Sequence, residues 1–182
     1  MPQQSTWRRA AALAVLSGWM TMAGPLAQAA CLSDAEVTRL VASLQVRRQV
    51  DTPEGLSAAD AACTRAKFNA SLEAAHGRPV GYKAGLTNPA VQKRFQATAP
   101  VWGALYAPML LKDGAIVDPA FGARPLFEAD LLVRVSNARI NQARSVEDVL
   151  QSIDQVIPFI ELPDLMVDTP AKINGNVLAA VN

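Results

Sequence analysis

The chain has 182 residues, of which 51% are hydrophobic and 18% are charged, and its formal net charge is +1. This length is sufficient for one domain with its own hydrophobic core, and the composition excludes an intrinsically disordered chain. The near balance of 17 basic and 16 acidic residues gives no electrostatic reason to expect a nucleic acid partner.

The first 29 residues have the layout of a secretory signal peptide. Arg8 and Arg9 precede an apolar run over residues 10–23, and Ala27-Gln28-Ala29 provides small residues for cleavage. An uncleaved anchor is the alternative, although the run is short for crossing a bilayer. We therefore expect a periplasmic or secreted protein that has no membrane attachment after cleavage.

Cys31 and Cys63 are the only two cysteines, and both follow the predicted signal peptide. In an oxidising compartment an even pair of cysteines predicts a disulfide. The alternative is two unrelated buried thiols.

Residues 30–77 are predicted to form an N-terminal helical segment. Ser33-Asp34-Ala35-Glu36 matches a capping box and is followed by apolar residues at helical spacing, which predicts a helix over residues 33–49. A second helix is expected to begin at Ser57 and to end at Gly77, because glycine commonly terminates helices.

His76, the only histidine, falls in the last turn of the second predicted helix. A histidine there most often interacts with the helix C-terminus. With a single histidine, the sequence disfavours a Ser-His-Asp triad and a histidine-rich zinc site.

Residues 78–182 are predicted to form a core rich in β-structure. The predicted strands cover residues 79–85, 104–106, 110–112, 115–117, 126–135, 156–162 and 176–181, and the predicted short helices cover residues 88–96 and 145–153. The strands at 110–112 and 115–117 flank Asp113-Gly114, a strong hairpin signal. Because no glycine-rich phosphate loop follows a strand, Rossmann and P-loop folds are excluded. The predicted class is α+β, with a curved mixed sheet.

Strand 126–135 carries two acids on one face. Alternation places Glu128 and Asp130 together with Arg134, and it places the apolar residues on the opposite face, where they are expected to contribute to the core. Two carboxylates at this spacing repel unless a cation or solvent separates them, and oxygen ligands suit Mg²⁺ or Mn²⁺. The alternative is a solvated face on which Arg134 is a neighbour.

Glu161 and Lys83 also occupy unusual positions. Glu161 ends the apolar run of residues 157–160, where an unpaired carboxylate is costly, although it could equally be a solvated strand end. Lys83 lies between Gly81 and Gly85, whose small size leaves room for a ligand. The alternative is a surface lysine on an edge strand.

Four short motifs occur in an order typical of a known family. They are Gly81-Tyr82-Lys83-Ala84-Gly85-Leu86-Thr87, Trp102-Gly103, Phe127-Glu128-Ala129-Asp130 and Pro158-Phe159-Ile160-Glu161. Over residues 56–182 the chain resembles the 2-keto-4-pentenoate hydratases of the fumarylacetoacetate hydrolase superfamily. Two departures are Asp130, where glutamate is common, and Val101, where such hydratases often carry an acid.

The resemblance implies a site and an activity. Glu128, Asp130 and Glu161 would hold Mg²⁺ or Mn²⁺, and Lys83 would face the substrate. The implied reaction is addition of water to a 2-hydroxy-2,4-dienoate or 2-oxo-enoate by a lyase. A decarboxylase or C–C hydrolase of related 2-oxo acids, or a non-catalytic exported fragment, stays open. The partners expected are a small 2-oxo acid and further copies of the chain in a homo-oligomer.

The end of the chain, residues 176–182, is predicted to be a strand that is cut short. The resembling enzymes continue with further strands, so we expect a truncated, incomplete sheet and a chain that is poorly active and prone to associate. The alternative is a naturally shortened domain that closes its edge by dimerisation.

Overall fold

The computed structural model describes residues 31–182, so the predicted signal peptide lies outside the described part of the chain. Within these residues the α-helices and strands are, in chain order, α1 Asp34–Gln45, α2 Ala58–His76, β1 Gly81–Gly85, α3 Pro89–Arg94, β2 Val101–Leu105, β3 Glu128–Val135, α4 Val146–Leu150, β4 Ile153–Glu161 and α5 Gly175–Val181. Short 3₁₀ helices cover Ala107–Met109, Ala138–Gln142 and Pro170–Lys172. Within residues 31–182 no helix is long and apolar enough to cross a membrane.

Both predicted N-terminal helices are confirmed, with their caps. The side chains of Ser33 and Ser57 accept hydrogen bonds from the backbone three residues on, and both capping boxes are complete. The first helix ends at Gln45, before residue 49, because Arg47 adopts a left-handed φ of 56°. The second ends as predicted, at Gly77, which has φ 82°.

The two helices pack into one core beneath the β1–β2 sheet. Val37 of α1 and Phe68 of α2 are buried together with Ala104 of β2 and with Tyr106, whose hydroxyl donates to the carbonyl of Asn69 at 3.0 Å. The disulfide between Cys31 and Cys63 ties the segment before α1 to α2, with 5.6 Å between the Cα atoms. A loop of this length contributes about 3–4 kcal/mol in the chain-entropy account.

The four strands form two separate antiparallel sheets of two strands each. β1 pairs with β2, with Lys83 opposite Gly103, and β3 pairs with β4, with Glu128 opposite Glu161. The α+β class is therefore confirmed. A single curved mixed sheet is not seen among residues 31–182, because neither pair of strands is hydrogen-bonded to the other.

The predicted hairpin around Asp113-Gly114 is wrong. A turn does form, and the N–H of Ala115 donates to the carbonyl of Lys112 at 3.1 Å. The flanking residues form no strand, and Ile116 is 99% exposed. Turn residues alone do not produce a hairpin when the flanking residues have no other part of the protein to pack against.

The predicted strand at 176–181 is also wrong, because these residues form helix α5. The Asn174 side chain caps the helix by accepting from the N–H groups of Asn176 and Val177 at 3.0 and 3.1 Å. Val177 and Ala180 are buried, and the helix packs against α2. The cap and the small residues that fit closely against α2 outweigh the strand preference of the valines.

The apolar face of β3 is exposed, contrary to the prediction that it contributes to the core. Leu131 is 62% exposed, and Ile160 on the same face of β4 is 59% exposed. Helix α4, which contacts β4, leaves most of this face uncovered. The β3–β4 ribbon therefore projects from the helical core with an apolar face toward solvent.

Candidate functional site

Lys83 lies on a face of the β1–β2 sheet that is built largely of glycine. Strand alternation places Gly81 and Gly85 on the same face as Lys83, and the register adds Gly103 directly opposite. A Cβ atom on Gly103 would lie 3.2 Å from Cε of Lys83. These positions carry no side chains of their own, and at Gly103 the Lys83 side chain and the backbone of Asn182 fill the place of a Cβ atom.

Lys83 and Glu161 join the two sheets. The Lys83 Nζ atom lies 3.3 Å from Oε1 of Glu161, and both side chains are partly buried, at 31% and 22% exposure. These residues are 78 positions apart in the sequence. Partial burial shields this ion pair from water more than an ordinary surface pair, so its geometry is better defined.

The three predicted metal ligands lie on one face of the β3–β4 ribbon. Glu128 is directly opposite Glu161, and Asp130 is opposite Phe159, one step along the same face. Two carboxylates from one strand and one from its neighbour form a donor set that suits a hard divalent cation.

The side chains of this set do not converge in the observed conformation. Within residues 31–182 no group of three or more His, Cys, Asp or Glu side chains is close enough to hold a metal ion. Oδ1 of Asp130 accepts the N–H of Leu131 at 2.7 Å, while Glu161 faces Lys83. The three side chains would have to come closer together to share one ion.

Arg134 is not the neighbour of the acids. Its guanidinium forms a bidentate pair with Asp154, with N–O distances of 2.8 and 2.9 Å. The hydrogen bonds from Arg134 lower the pKa of Asp154. Arg134 therefore does not neutralise the charge of Glu128 and Asp130, which removes that part of the alternative interpretation.

The end of helix α5 covers the glycine-rich face, which the sequence did not predict. The backbone of Asn182 lies so close to Gly103 that a Cβ atom there would be 2.5 Å from the Asn182 carbonyl carbon. The Asn182 Nδ2 atom lies 3.8 Å from the position of a Cβ on Gly85. The only sequence signal was Gly103 itself, because glycine in a strand often marks a close approach of another backbone.

The opposite face of β1–β2 holds the sheet against α2. The Arg65 guanidinium lies 4.1 Å from the ring centroid of Trp102, which contacts Tyr82 edge-on at 5.8 Å. Arg65 also donates to the carbonyl of Ala179 in α5 at 3.0 Å, and burial lowers its pKa. These contacts fix the strand that carries Lys83.

His76 packs against Tyr106 with 5.9 Å between ring centroids. That position at the end of α2 agrees with a structural role for this residue.

No family model matches the chain, but comparison with known proteins finds relatives that share one named activity. It is 29% identical over 110 residues to 2-keto-4-pentenoate hydratase 1 of Dechloromonas aromatica, covering 60% of this chain and 42% of that enzyme. It is 31% identical over 99 residues to the 2-keto-4-pentenoate hydratase of Burkholderia vietnamiensis, covering 54% of this chain and 38% of the relative.

A decarboxylase is matched in both sequence and structure. The chain is 29% identical over 114 residues to 4-oxalocrotonate decarboxylase of Pseudomonas putida, covering 63% of this chain and 43% of the enzyme. The solved structure of the Pseudomonas putida G7 decarboxylase with magnesium and adipate superposes with a TM-score of 0.65 and 25% identity, covering 83% of this chain and 60% of that one. The chain thus spans about two fifths of the length of its curated relatives. The resemblance to the 2-keto-4-pentenoate hydratases and 4-oxalocrotonate decarboxylase of the fumarylacetoacetate hydrolase superfamily is confirmed over the part of those enzymes that the chain spans.

Proposed function

We propose that this protein is a metal-dependent lyase that adds water to a 2-hydroxy-2,4-dienoate or 2-oxo-enoate. The observation that carries the proposal is the contact between Lys83 and Glu161, which joins two motifs far apart in sequence. The register of Glu128 opposite Glu161 supports it, because it adds the carboxylates of β3 to the same region. The hydratases among the relatives supply the reaction class.

Lys83 is proposed to bind the carboxylate of the substrate. Its ammonium group is a compact positive charge, and the Lys83 side chain is 31% exposed, so a small anion can approach it from solvent. A positive charge held at this point also stabilises the negative charge that develops on the 2-oxygen when the enol loses its proton. Glu161 orients Lys83 through their 3.3 Å contact.

The implied cofactor is Mg²⁺ or Mn²⁺, and a divalent ion is consistent with the magnesium and calcium complexes of the decarboxylase. Glu128, Asp130 and Glu161 would hold it. When bound, such an ion supplies Lewis acidity toward the oxygens of a 2-oxo acid.

Decarboxylation of a 2-oxo diacid is the second candidate. It is favoured by the match to 4-oxalocrotonate decarboxylase in both sequence and structure. Val101, which pairs with Gly85, stands where related hydratases often carry an acid. An acidic side chain that could transfer a proton during hydration is therefore missing at this position. C–C hydrolysis is disfavoured, because the resembling hydrolases activate water with a histidine–acid pair, and His76, the one histidine of the sequence, packs against Tyr106.

We also propose that the protein is exported and forms a homo-oligomer. The bonded pair Cys31–Cys63 supports export, since such bonds persist in oxidising compartments. The exposed apolar face of the β3–β4 ribbon supports association.

Product analysis distinguishes the candidates. The purified protein is incubated with 2-hydroxypenta-2,4-dienoate and Mg²⁺, and hydration is followed as loss of ultraviolet absorbance and formation of 4-hydroxy-2-oxopentanoate. A parallel incubation with 4-oxalocrotonate is followed by release of carbon dioxide. Hydration of the dienoate supports the proposal, and carbon dioxide release without hydration favours the decarboxylase. Turnover of neither compound would contradict both candidates.

A further inference from the structure

Leu86, the first residue after β1, has a left-handed backbone with a φ of 55°. A residue with a Cβ atom adopts this conformation only at a steric cost. Among the described residues, Arg47 and Gln96 are the other non-glycine residues with a left-handed φ, and each directly follows the C-cap residue of a helix, where the conformation is common. Leu86 follows a strand, so a helix end does not explain its conformation.

The side chain of Gln92 in α3 stabilises this conformation. Its Nε2 atom donates to the carbonyl oxygen of Leu86 at 2.8 Å, in a partly buried contact. Gln92 is itself fixed, because its N–H donates to the carbonyl of Asn88 and its carbonyl accepts the N–H of Ala97, both at 2.9 Å. A hydrogen bond from an anchored side chain offsets part of the steric cost at Leu86.

Helix α3 is in turn attached to the start of α5, which also contacts β2. The N–H of Gly175 donates to the carbonyl of Phe95 at 2.6 Å, and a Cβ atom on Gly175 would lie 2.6 Å from the Cβ of Ala97. The turn that follows β1 is therefore held in place relative to the β1–β2 sheet.

Lys83 lies close to this turn in the β1–β2 ladder. The ladder ends with Gly85 opposite Val101, and Lys83 opposite Gly103 is two pairs further in. A two-stranded sheet is marginal by itself and opens from its ends. A defined turn after Gly85 limits this opening and keeps the Lys83 ammonium group in place.

We propose that Gln92 is a positioning residue, which holds Leu86 and thereby fixes the end of β1 and the place of Lys83. This inference rests on the proposed function, because it concerns the lysine proposed to bind the substrate carboxylate. Gln92 acts through Leu86 rather than on the substrate.

Two measurements on the full chain test this role. 2-Oxopentanoate is a 2-oxo acid with no double bond to hydrate, and its binding is measured by calorimetry in buffer containing Mg²⁺. Amide hydrogen exchange of residues 81–86, followed by mass spectrometry, reports the order of β1 without any ligand. Both are made on wild type, on Gln92→Met, and on Gln45→Met as the matched control, because Gln45 is exposed at the end of α1. Thermal melts of each variant check folding.

Gln92→Met should weaken 2-oxopentanoate binding about fivefold and speed exchange at residues 81–86, because one neutral hydrogen bond is lost. Gln45→Met should match wild type in both measurements. Adding Leu86→Gly to Gln92→Met should restore part of the lost affinity, because glycine adopts a left-handed φ without steric cost. A general loss of stability would not be relieved in this way.

Unchanged exchange at residues 81–86 in Gln92→Met, or faster exchange with unchanged affinity, would overturn the inference. A loss of affinity that Leu86→Gly does not relieve would overturn it as well. Failure of wild type to bind 2-oxopentanoate would instead overturn the proposed function, and hydrogen exchange would then decide separately whether Gln92 fixes β1.

Discussion

At the scale of single residues, the site depends on what surrounds Lys83. Gly81, Gly85 and Gly103 remove side chains from its face, and Glu161 holds its ammonium group. The Lys83 side chain is therefore partly buried, with 31% of its surface still exposed. The position and exposure of its ammonium group are set by these neighbours and not by the lysine alone.

Replacing Lys83 with methionine keeps most of the side-chain volume and removes the charge. Loss of a charged hydrogen bond should weaken 2-oxopentanoate binding by about 10- to 100-fold. Calorimetry on Lys83→Met, beside Lys93→Met as the control, checks this. Lys93 is an exposed residue of α3, so its variant should bind like wild type. Unchanged affinity in Lys83→Met would show that the ammonium does not contact the acid.

Part of this residue set was predictable from sequence. Lys83 was singled out because glycines two positions away mark an unusual strand, and Glu128 and Asp130 because alternation places them together, and the roles of all three stay predictions. The contact of Lys83 with Glu161 and the position of Asn182 were not predictable, because they depend on how two sheets and a helix pack in three dimensions. Convergence of the three carboxylates on one cation stays a prediction.

At the scale of secondary-structure elements, α5 and the β1–β2 sheet meet at Gly103. Gly103→Ala should lower the free energy of unfolding by about 1–3 kcal/mol, because the added methyl group would collide with the Asn182 backbone. Gly81→Ala is the matched control on the same face, where a Cβ meets only the Leu105 side chain at 3.8 Å. Urea denaturation should show little change for Gly81→Ala. Equal stability of the two variants would mean that α5 does not pack on β2 as described.

Asp168 links the loop before α2, which contains Thr52, to the segment before the Pro170–Lys172 3₁₀ helix. Its Oδ1 atom accepts from the backbone N–H and the hydroxyl of Thr52, both at 3.0 Å, and from the hydroxyl of Thr169 at 3.0 Å. These hydrogen bonds, the Thr52 N–H foremost, lower the pKa of Asp168 below its ordinary 3.8. A lowered folded-state pKa stabilises the protein above the unfolded-state pKa, and this contribution is lost as the pH falls through the folded-state pKa.

We therefore expect stability to decline below about pH 4, and Asp168→Asn to reduce that decline while lowering stability at pH 7. Urea denaturation at pH 3 and pH 7 measures both effects. Asp51→Asn, at an exposed neighbouring acid, is the control and should retain the wild-type pH dependence. If Asp168→Asn kept the wild-type pH dependence of stability, the hydrogen bonds of Asp168 would not contribute to acid sensitivity.

The elements themselves were predicted unevenly, for physical reasons. Capping boxes at Ser33 and Ser57 involve only neighbouring residues, so both helix starts were correct. The strand predicted at 176–181 was wrong because a short apolar run has no periodicity that separates a strand from a buried helix. The helix is favoured because it buries Val177 against Val167 and Ile173. These are tertiary contacts, which a local sequence pattern does not show.

At the scale of the whole molecule, the β3–β4 ribbon is the least supported part of the fold. A two-stranded ribbon is marginal by itself, and an exposed apolar face promotes association. Leu131, Val133 and Ile160 lie together on this face. Alternation correctly placed Leu131 and Val133 on one face of β3, but it cannot say whether that face is covered.

The protein should therefore self-associate in solution, and Leu131→Lys should reduce the association. Light scattering over a concentration series measures the mean mass of each variant. Val46→Lys is the control, because it adds the same charge at an exposed site at the end of α1. A monomeric wild type, or an equal effect of both lysines, would mean that the ribbon face is not an association surface.

The proposed function depends on Glu128, Asp130 and Glu161 forming one divalent-cation site beside Lys83. Calorimetric titration of Mg²⁺ into wild type, Glu128→Gln, Asp130→Asn and Glu161→Gln tests it most directly, with Glu147→Gln in α4 as an exposed control. Wild type and the control should each show one saturable binding event, and the affinity for Mg²⁺ should be weakened by at least about tenfold in each of the three site variants. Equal Mg²⁺ affinity in wild type and in all three site variants would contradict it.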